Sequence, residues 1–415
     1  MVKSTKTAVG IAALAAFALS TVAITPVRAD ETGVTPTEIV IGGTDPFSGP
    51  ASAYSSIGKG SAAYFQYVND HGGVNGRKIT YKNLDDGYNP QQTVQLTRQL
   101  VEDDKVFAIF ASLGTPPNTA IRPYLNQKGV PQLFIATGAS KWGNEVAQYP
   151  WTIGWEPDYE SEATIYARNI LKEKPNSKIA IIYQNDDFGT DYIRGLMKGL
   201  GSHGSMVVKQ ASYEVTDPDV SSQIASLKAS GADTLMIFAT PKFAIQSMVA
   251  TAQQGWKPQI YLSNVSISEA IMHAATKGGG GPDATNGIIS SQFVKDPGDP
   301  KIANDAGYKL YKEIMDKYIP TGTLSDGNYL VGMALAYTMV DVLNRCGKDV
   351  TRDKVMKMAD SLNEINPFVY PGITVSTSAT NHFPMTSAAL VRYDNGRFIP
   401  TGALIDARAI IKAEK

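Results

Sequence analysis

The sequence predicts an α/β chain of two doubly wound lobes with parallel sheets, and three observations predict it. From residue 38 onward short apolar runs alternate with longer amphipathic stretches, the pattern of repeated strand–helix units joined by right-handed crossovers. The alternation breaks at Tyr149-Pro150-Trp151 and then restarts, so it forms two series. A chain of 415 residues that is 43% hydrophobic can fill more than one core.

In the first series strands are expected over 39–43, 78–84, 106–111 and 132–136, and helices over 57–69, 90–102 and 116–127. Gly72-Gly73 closes the first helix and Pro90 opens the second; Thr115 suits the N-cap of the third, with Pro116 at its first turn. The second series reads helix 159–172, strand 178–183, helix 190–200, strand 206–210, helix 220–229, strand 234–239, helix 243–254 and strand 259–262. A glycine run, Gly278–Gly281, follows as an exposed loop. The last third changes character, with helices over 305–318, 329–343 and 351–362 and strands over 372–375 and 388–393.

Composition excludes several functions. With 38 Lys and Arg against 39 Asp and Glu, the chain is not a generally basic nucleic-acid binder. Cys346 is the single cysteine and cannot form an intramolecular disulfide. His71, His203, His273 and His382 have no metal-ligand spacing, so neither a metal nor a cofactor is expected. Gly199-Leu200-Gly201-Ser202-His203-Gly204 matches a dinucleotide-loop pattern but follows a helix, where the pyrophosphate-binding geometry requires a strand before it. It reads as a helix end and turn. Asp85-Asp86 and Asp186-Asp187 read as capping or solvated acids, and no nucleophile–base pair is evident.

Lys3 and Lys6 precede the apolar run from Ala8 to Leu19, which leads to small residues ending at Ala29. That layout predicts a secretory leader over residues 1–29 and an exported protein.

Ligands of open parallel sheets bind beyond the carboxyl ends of the strands. The loops there are Asp45–Pro50 with Tyr54, Ser112-Leu113-Gly114-Thr115, and Thr137-Gly138-Ala139-Ser140-Lys141-Trp142. Hydroxyls and helix-terminal N–H groups at Ser112, Thr115, Thr137 and Ser140 suit a carboxylate. In the second series Phe188, Thr240-Pro241 and Asn264 occupy the equivalent loops and offer an aromatic wall.

These residues resemble a known family. Ile39-Val40-Ile41-Gly42 with Phe47-Ser48-Gly49-Pro50, the run Val68–Gly76, Asp85-Asp86, Ser112, the Thr137–Ser140 loop, Phe188-Gly189 and Ile224–Lys228 follow in order the pattern of periplasmic leucine/isoleucine/valine-type binding proteins of ABC importers. The resemblance implies the type I periplasmic binding fold, two lobes joined by a three-segment hinge. The N-terminal lobe would take residues 30–155 and 293–372, and the C-terminal lobe residues 156–292 and 373–415. It implies a monomer, a permease partner in the inner membrane, and a ligand carboxylate held by Ser112, the Gly138 backbone and Ser140. Two departures stand out. Phe188 lacks the hydroxyl of the family's tyrosine, and the loop Ser263-Asn264-Val265-Ser266 lacks the glutamate that pairs with a ligand ammonium. An unpaired ammonium in a closed cleft is costly. The expectation is therefore a small aromatic or hydrophobic carboxylate among Tyr54, Trp142 and Phe188. The alternatives are an amino acid bound by the same clamp, or a sensory ligand-binding module.

Overall fold

The segment Glu38–Asp45 (β1) is buried along its second half, as a strand covered on both faces by helices must be. The computed structural model describes residues 1–5 and 31–413; the expected leader lies outside the described residues apart from its first five. After β1 come α1 (Ser55–Asp70), β2 (Lys78–Asp85), α2 (Pro90–Arg98), β3 (Ile109–Phe110), α3 (Thr115–Lys128), β4 (Gln132–Ile135), α4 (Lys141–Asn144) and β5 (Thr152–Gly154). The five strands form one parallel sheet in the order β2-β1-β3-β4-β5.

The chain then builds a second sheet. Its elements are α5 (Tyr159–Glu173), β6 (Ile179–Gln184), α6 (Asp187–Leu200), β7 (Val207–Tyr213), α7 (Ser221–Lys228), β8 (Thr234–Phe238), α8 (Pro241–Gln253), β9 (Gln259–Leu262), α9 (Glu269–Ala275) and β10 (Ile289–Gln292). Next, α10 (Ala306–Tyr318), α11 (Gly327–Cys346) and α12 (Arg352–Ala359) return to the first sheet, followed by the short pair β11 (Asn363–Glu364) and β12 (Val375–Ser376). Finally β13 (Ser387–Asp394), β14 (Arg397–Pro400), β15 (Ile405–Asp406) and α13 (Ala407–Ala413) complete the second sheet. Its order is β14-β13-β10-β9-β8-β6-β7, with β15 beside β13. Strands β6 to β10 pair in parallel, and β13 is antiparallel to β10, β14 and β15. The main chain thus passes between the sheets three times, after β5, after β10 and after β12.

Most expected elements form within a few residues of their predicted ends. Eight short elements, α4, β5, α9, β10, β11, β14, β15 and α13, none longer than seven residues, escape the periodicity reading. The strand expected over 106–111 shrinks to two residues, and that expected over 372–375 becomes the two-residue β12. Each sheet reverses strand order once, between β1 and β3 and between β6 and β8, and a crevice opens at such a reversal.

Helices α1 and α11 cross through glycines. A Cβ on Gly60 would overlap the Tyr329 carbonyl and one on Gly332 the Ile57 carbonyl, while Ser61 Oγ donates to the Gly332 carbonyl at 2.9 Å. Backbone therefore meets backbone, which only glycine permits. Gly332→Ala is expected to push the helices apart and cost about 1–3 kcal/mol. Urea unfolding should show a lower midpoint, and an unchanged midpoint would contradict this packing.

Candidate functional site

Both strand-order reversals open onto one cavity. It encloses about 890 Å³, mouth included, and is walled by Tyr54, Ile57, Tyr88, Leu113, Thr115 and Thr137 from the first sheet. Phe188, Thr240, Asn264, Val265 and Ser291 face them from the second, with Glu156 and Phe293 on the chain crossings. Most of this wall is aromatic or aliphatic.

The polar strip on the first-sheet side starts at α3. Gly114 is its N-cap, with φ 96°, so Thr115 is the first helical residue rather than the cap. Pro116 and Pro117 have no N–H, so the terminus offers far fewer free donors than a typical helix start. Hydroxyls take over that task. Thr115 Oγ1 lies 2.5 Å from Thr137 Oγ1, which lies 3.0 Å from the Tyr159 hydroxyl. Tyr159 is fixed by its N–H on the Gly138 carbonyl at 2.9 Å and by stacking on Tyr192 at 4.8 Å. Phe188 meets the Tyr159 ring edge-on at 5.1 Å. Tyr88 reaches the cavity from a left-handed backbone, φ 63°, an uncommon state for a bulky residue and one that clusters at binding sites.

Two glutamates are buried behind this strip, in opposite circumstances. Glu162 is satisfied: its carboxylate accepts from Tyr166, from Tyr192 at 2.7 Å and from the Asn264 N–H at 2.8 Å. Burial still pushes it up to about 7. Glu156 lines the cavity at 8% exposure, and its Oε2 has no hydrogen-bond partner. Burial first, and repulsion from Glu162 second, push it up to about 8. Asn264, pinned through its backbone to Glu162, also lines the cavity, with both side-chain amide atoms buried and unpartnered. The cavity therefore presents a carboxyl and an amide that lack partners within the protein.

The structure places the expected residues in two groups. Tyr54, Thr115, Thr137, Phe188, Thr240 and Asn264 all line the cavity. Ser112, Gly138, Ser140, Trp142 and Pro241 do not. Ser112 Oγ is occupied by the Thr44 N–H at 3.0 Å, and the space a Gly138 side chain would need is filled by Pro157 and Tyr159. The Ser140 N–H donates to Asp191 Oδ2 at 2.7 Å and its hydroxyl to Glu160 at 3.3 Å, so this residue ties the loop after β4 to α6 and α5. Trp142 is buried in the core under the Arg122 guanidinium, 5.1 Å from its ring, and Pro241 is the buried first residue of α8. Sequence reasoning missed Tyr88, Glu156, Tyr159 and Phe293. Glu156, between Trp155 and Pro157 at the restart of the alternation, was the one with a usable signal: an acid on a chain crossing.

Two lobes closing on an enclosed, mostly apolar cavity with unsatisfied polar atoms define a ligand-clamping protein. The family model described as periplasmic binding protein matches residues 38–397, and the chain belongs to that family. It is thus a periplasmic protein that binds a small solute for an ABC importer's permease, and not an enzyme. Leu/Ile/Val-binding protein homolog 1 of Brucella abortus (strain 2308) is 25% identical over 338 residues, 80% of this chain and 84% of that one. A branched-chain amino acid ABC transporter protein from Thermus thermophilus, solved with bound valine, superposes with a TM-score of 0.78 at 17% identity, over 90% of this chain and 98% of that one. A fatty acid ABC transporter substrate-binding protein from Thermomonospora curvata gives 0.76 at 21% identity, over 92% and 96%.

The buried glutamates set a pH dependence whose sign can be worked out. An unfolded glutamate titrates near 4.5, whereas folded Glu156 holds its proton up to about 8. Between those values the folded chain carries more protons, so stability falls as pH rises. Glu162 and Glu364, each pushed up to about 7 by burial, act in the same direction. Asp70, Asp85, Asp219 and Asp305, all held low, act below this window. The calorimetric Tm of ligand-free protein should fall from pH 5 to pH 8, and Glu156→Gln should flatten that slope. A rising Tm over this range would contradict a neutral Glu156.

Proposed function

We propose that the protein captures a hydrophobic α-amino acid, with the ligand carboxylate on the Thr115–Thr137 hydroxyls, its ammonium at Glu156 and its side chain among Tyr54, Phe188 and Phe293. The observation that carries this reading is the unpartnered Glu156 Oε2 in a cavity that also has a hydroxyl strip. The loop over 263–266 has no acid, which argued against an ammonium-bearing ligand. Glu156 answers that objection from a different segment. An opposite charge within about 4–6 Å favours the ionised carboxylate by roughly 1–3 pKa units, so a bound ammonium would draw the proton off Glu156. The branched-chain names and bound valine among similar proteins support the same choice.

A second reading, an amine-free aromatic or fatty acid, draws on the raised pKa of the buried Glu156 carboxyl. A protonated carboxyl donates, and can do so to a ligand carboxylate. The two readings predict opposite pH trends. Leucine affinity, measured by titration calorimetry, should rise from pH 6 to pH 8, and Glu156→Gln should weaken it at least tenfold. Tighter binding of benzoate or octanoate at low pH, with no leucine binding, would replace the first reading by the second.

A further inference from the structure

The cavity wall extends beyond the residues assigned above to a hydrophobic amino acid, to Glu269, Asp296 and Phe398. Its wall also crosses the second sheet. Phe188 follows β6, Thr240 follows β8, Asn264 follows β9, Asp296 lies beyond β10 and Phe398 sits in β14. From β6 to β14 the sheet order makes five strand spacings, roughly 24 Å at about 4.8 Å each.

The end beyond β10 is chemically unlike the Thr115–Thr137 end. Glu269 and Asp296 both line it and crowd one glycine: a Cβ on Gly298 would overlap Glu269 Oε1 and stand 3.3 Å from Asp296 Oδ1. Asp296 Oδ1 accepts the Gly298 N–H at 2.9 Å, while Asp296 Oδ2 is buried with no partner. The nearby ammonium of Lys295 is already held by Asp305 at 2.6 Å, so it leaves this end acidic. A second observation is independent of the acids. Asn264, only 7% exposed, lines the same cavity from the loop that leads into α9, and both its amide atoms are buried and unpartnered.

We propose that the cavity has a second polar end at Asp296 and Glu269, and that its ligand is an elongated acid carrying an ammonium group there, with Asn264 contacting the stretch between. This rests on the reading that a carboxylate sits on Thr115 and Thr137. It replaces the wholly hydrophobic side chain of that reading by an aliphatic chain that ends in a cation.

The test compares length-matched pairs that differ only at the far end: norleucine with lysine, and octanoate with 8-aminooctanoate. Affinities are measured by titration calorimetry on wild type, Asp296→Asn and Thr137→Val, with circular dichroism as the folding control. Wild type should bind the ammonium-ended member of at least one pair ten times more tightly than its partner. Asp296→Asn should bring that ratio below three, and Thr137→Val should weaken both members alike. If Asp296→Asn does not fold, Glu269→Gln carries the same comparison. Methyl-ended members that bind equally well or better would overturn the distal subsite and leave the carboxylate reading standing. A ratio that Asp296→Asn leaves unchanged would also overturn it. Loss of every acid from the wild-type screen would remove both.

Discussion

A carboxyl group sealed away from water must be neutral, paired or hydrogen-bonded, and its isolated charge is too costly to keep. The protein meets this demand in two ways within seven residues. Glu162 receives two tyrosine hydroxyls and a backbone N–H, and those bonds fix Tyr166, Tyr192 and the start of the Asn264 loop around it. Glu156 receives nothing at Oε2. The satisfied acid helps build the second-sheet wall, and the unsatisfied one leaves an unpartnered carboxyl among the residues that line the cavity. The repulsion between them links the two, since whatever ionises Glu156 is felt at Glu162.

The rest of the scaffold delivers these groups to one place. Each sheet reverses its strand order once, and the loops flanking each reversal supply Tyr54, Thr115, Phe188 and Thr240. Glycine contacts hold α11 hard against α1, so Asn328 and Val331 near the start of α11 line the cavity from a fixed position on the first lobe. Stacked rings, Tyr159 on Tyr192 and Tyr192 on Phe238 at 4.5 Å, carry the hydroxyl strip's support into the second core.

Much of this was legible in the sequence because strand–helix alternation is a local signal. The strand-to-helix loops pointed to Tyr54, Thr115, Thr137, Phe188, Thr240 and Asn264, all of which reach the cavity. Not every hydroxyl in such a loop lines the cavity. Ser112 serves the Thr44 N–H and Ser140 serves Asp191, partners distant in sequence that no spacing announces. Trp142 looked like a cleft ring, yet its short helix turns it into the core. Phe293 gave no signal and Glu156 only its charge, for a related reason. They lie on chain crossings, which have no periodicity, and reach the cavity wall only once two sheets are folded against each other.

The contacts that took Ser140 out of the binding wall have a further effect. Lys141 Nζ reaches Asp187 at 2.6 Å beside the Ser140–Asp191 bond, and both join the loop after β4 to the opposite lobe. Each is a contact between a first-sheet loop and the second-sheet helix α6, so both depend on those two elements lying side by side. With Asp187 more than half exposed, dissolved ions screen the Lys141 pair, and the clasp loosens as ionic strength rises.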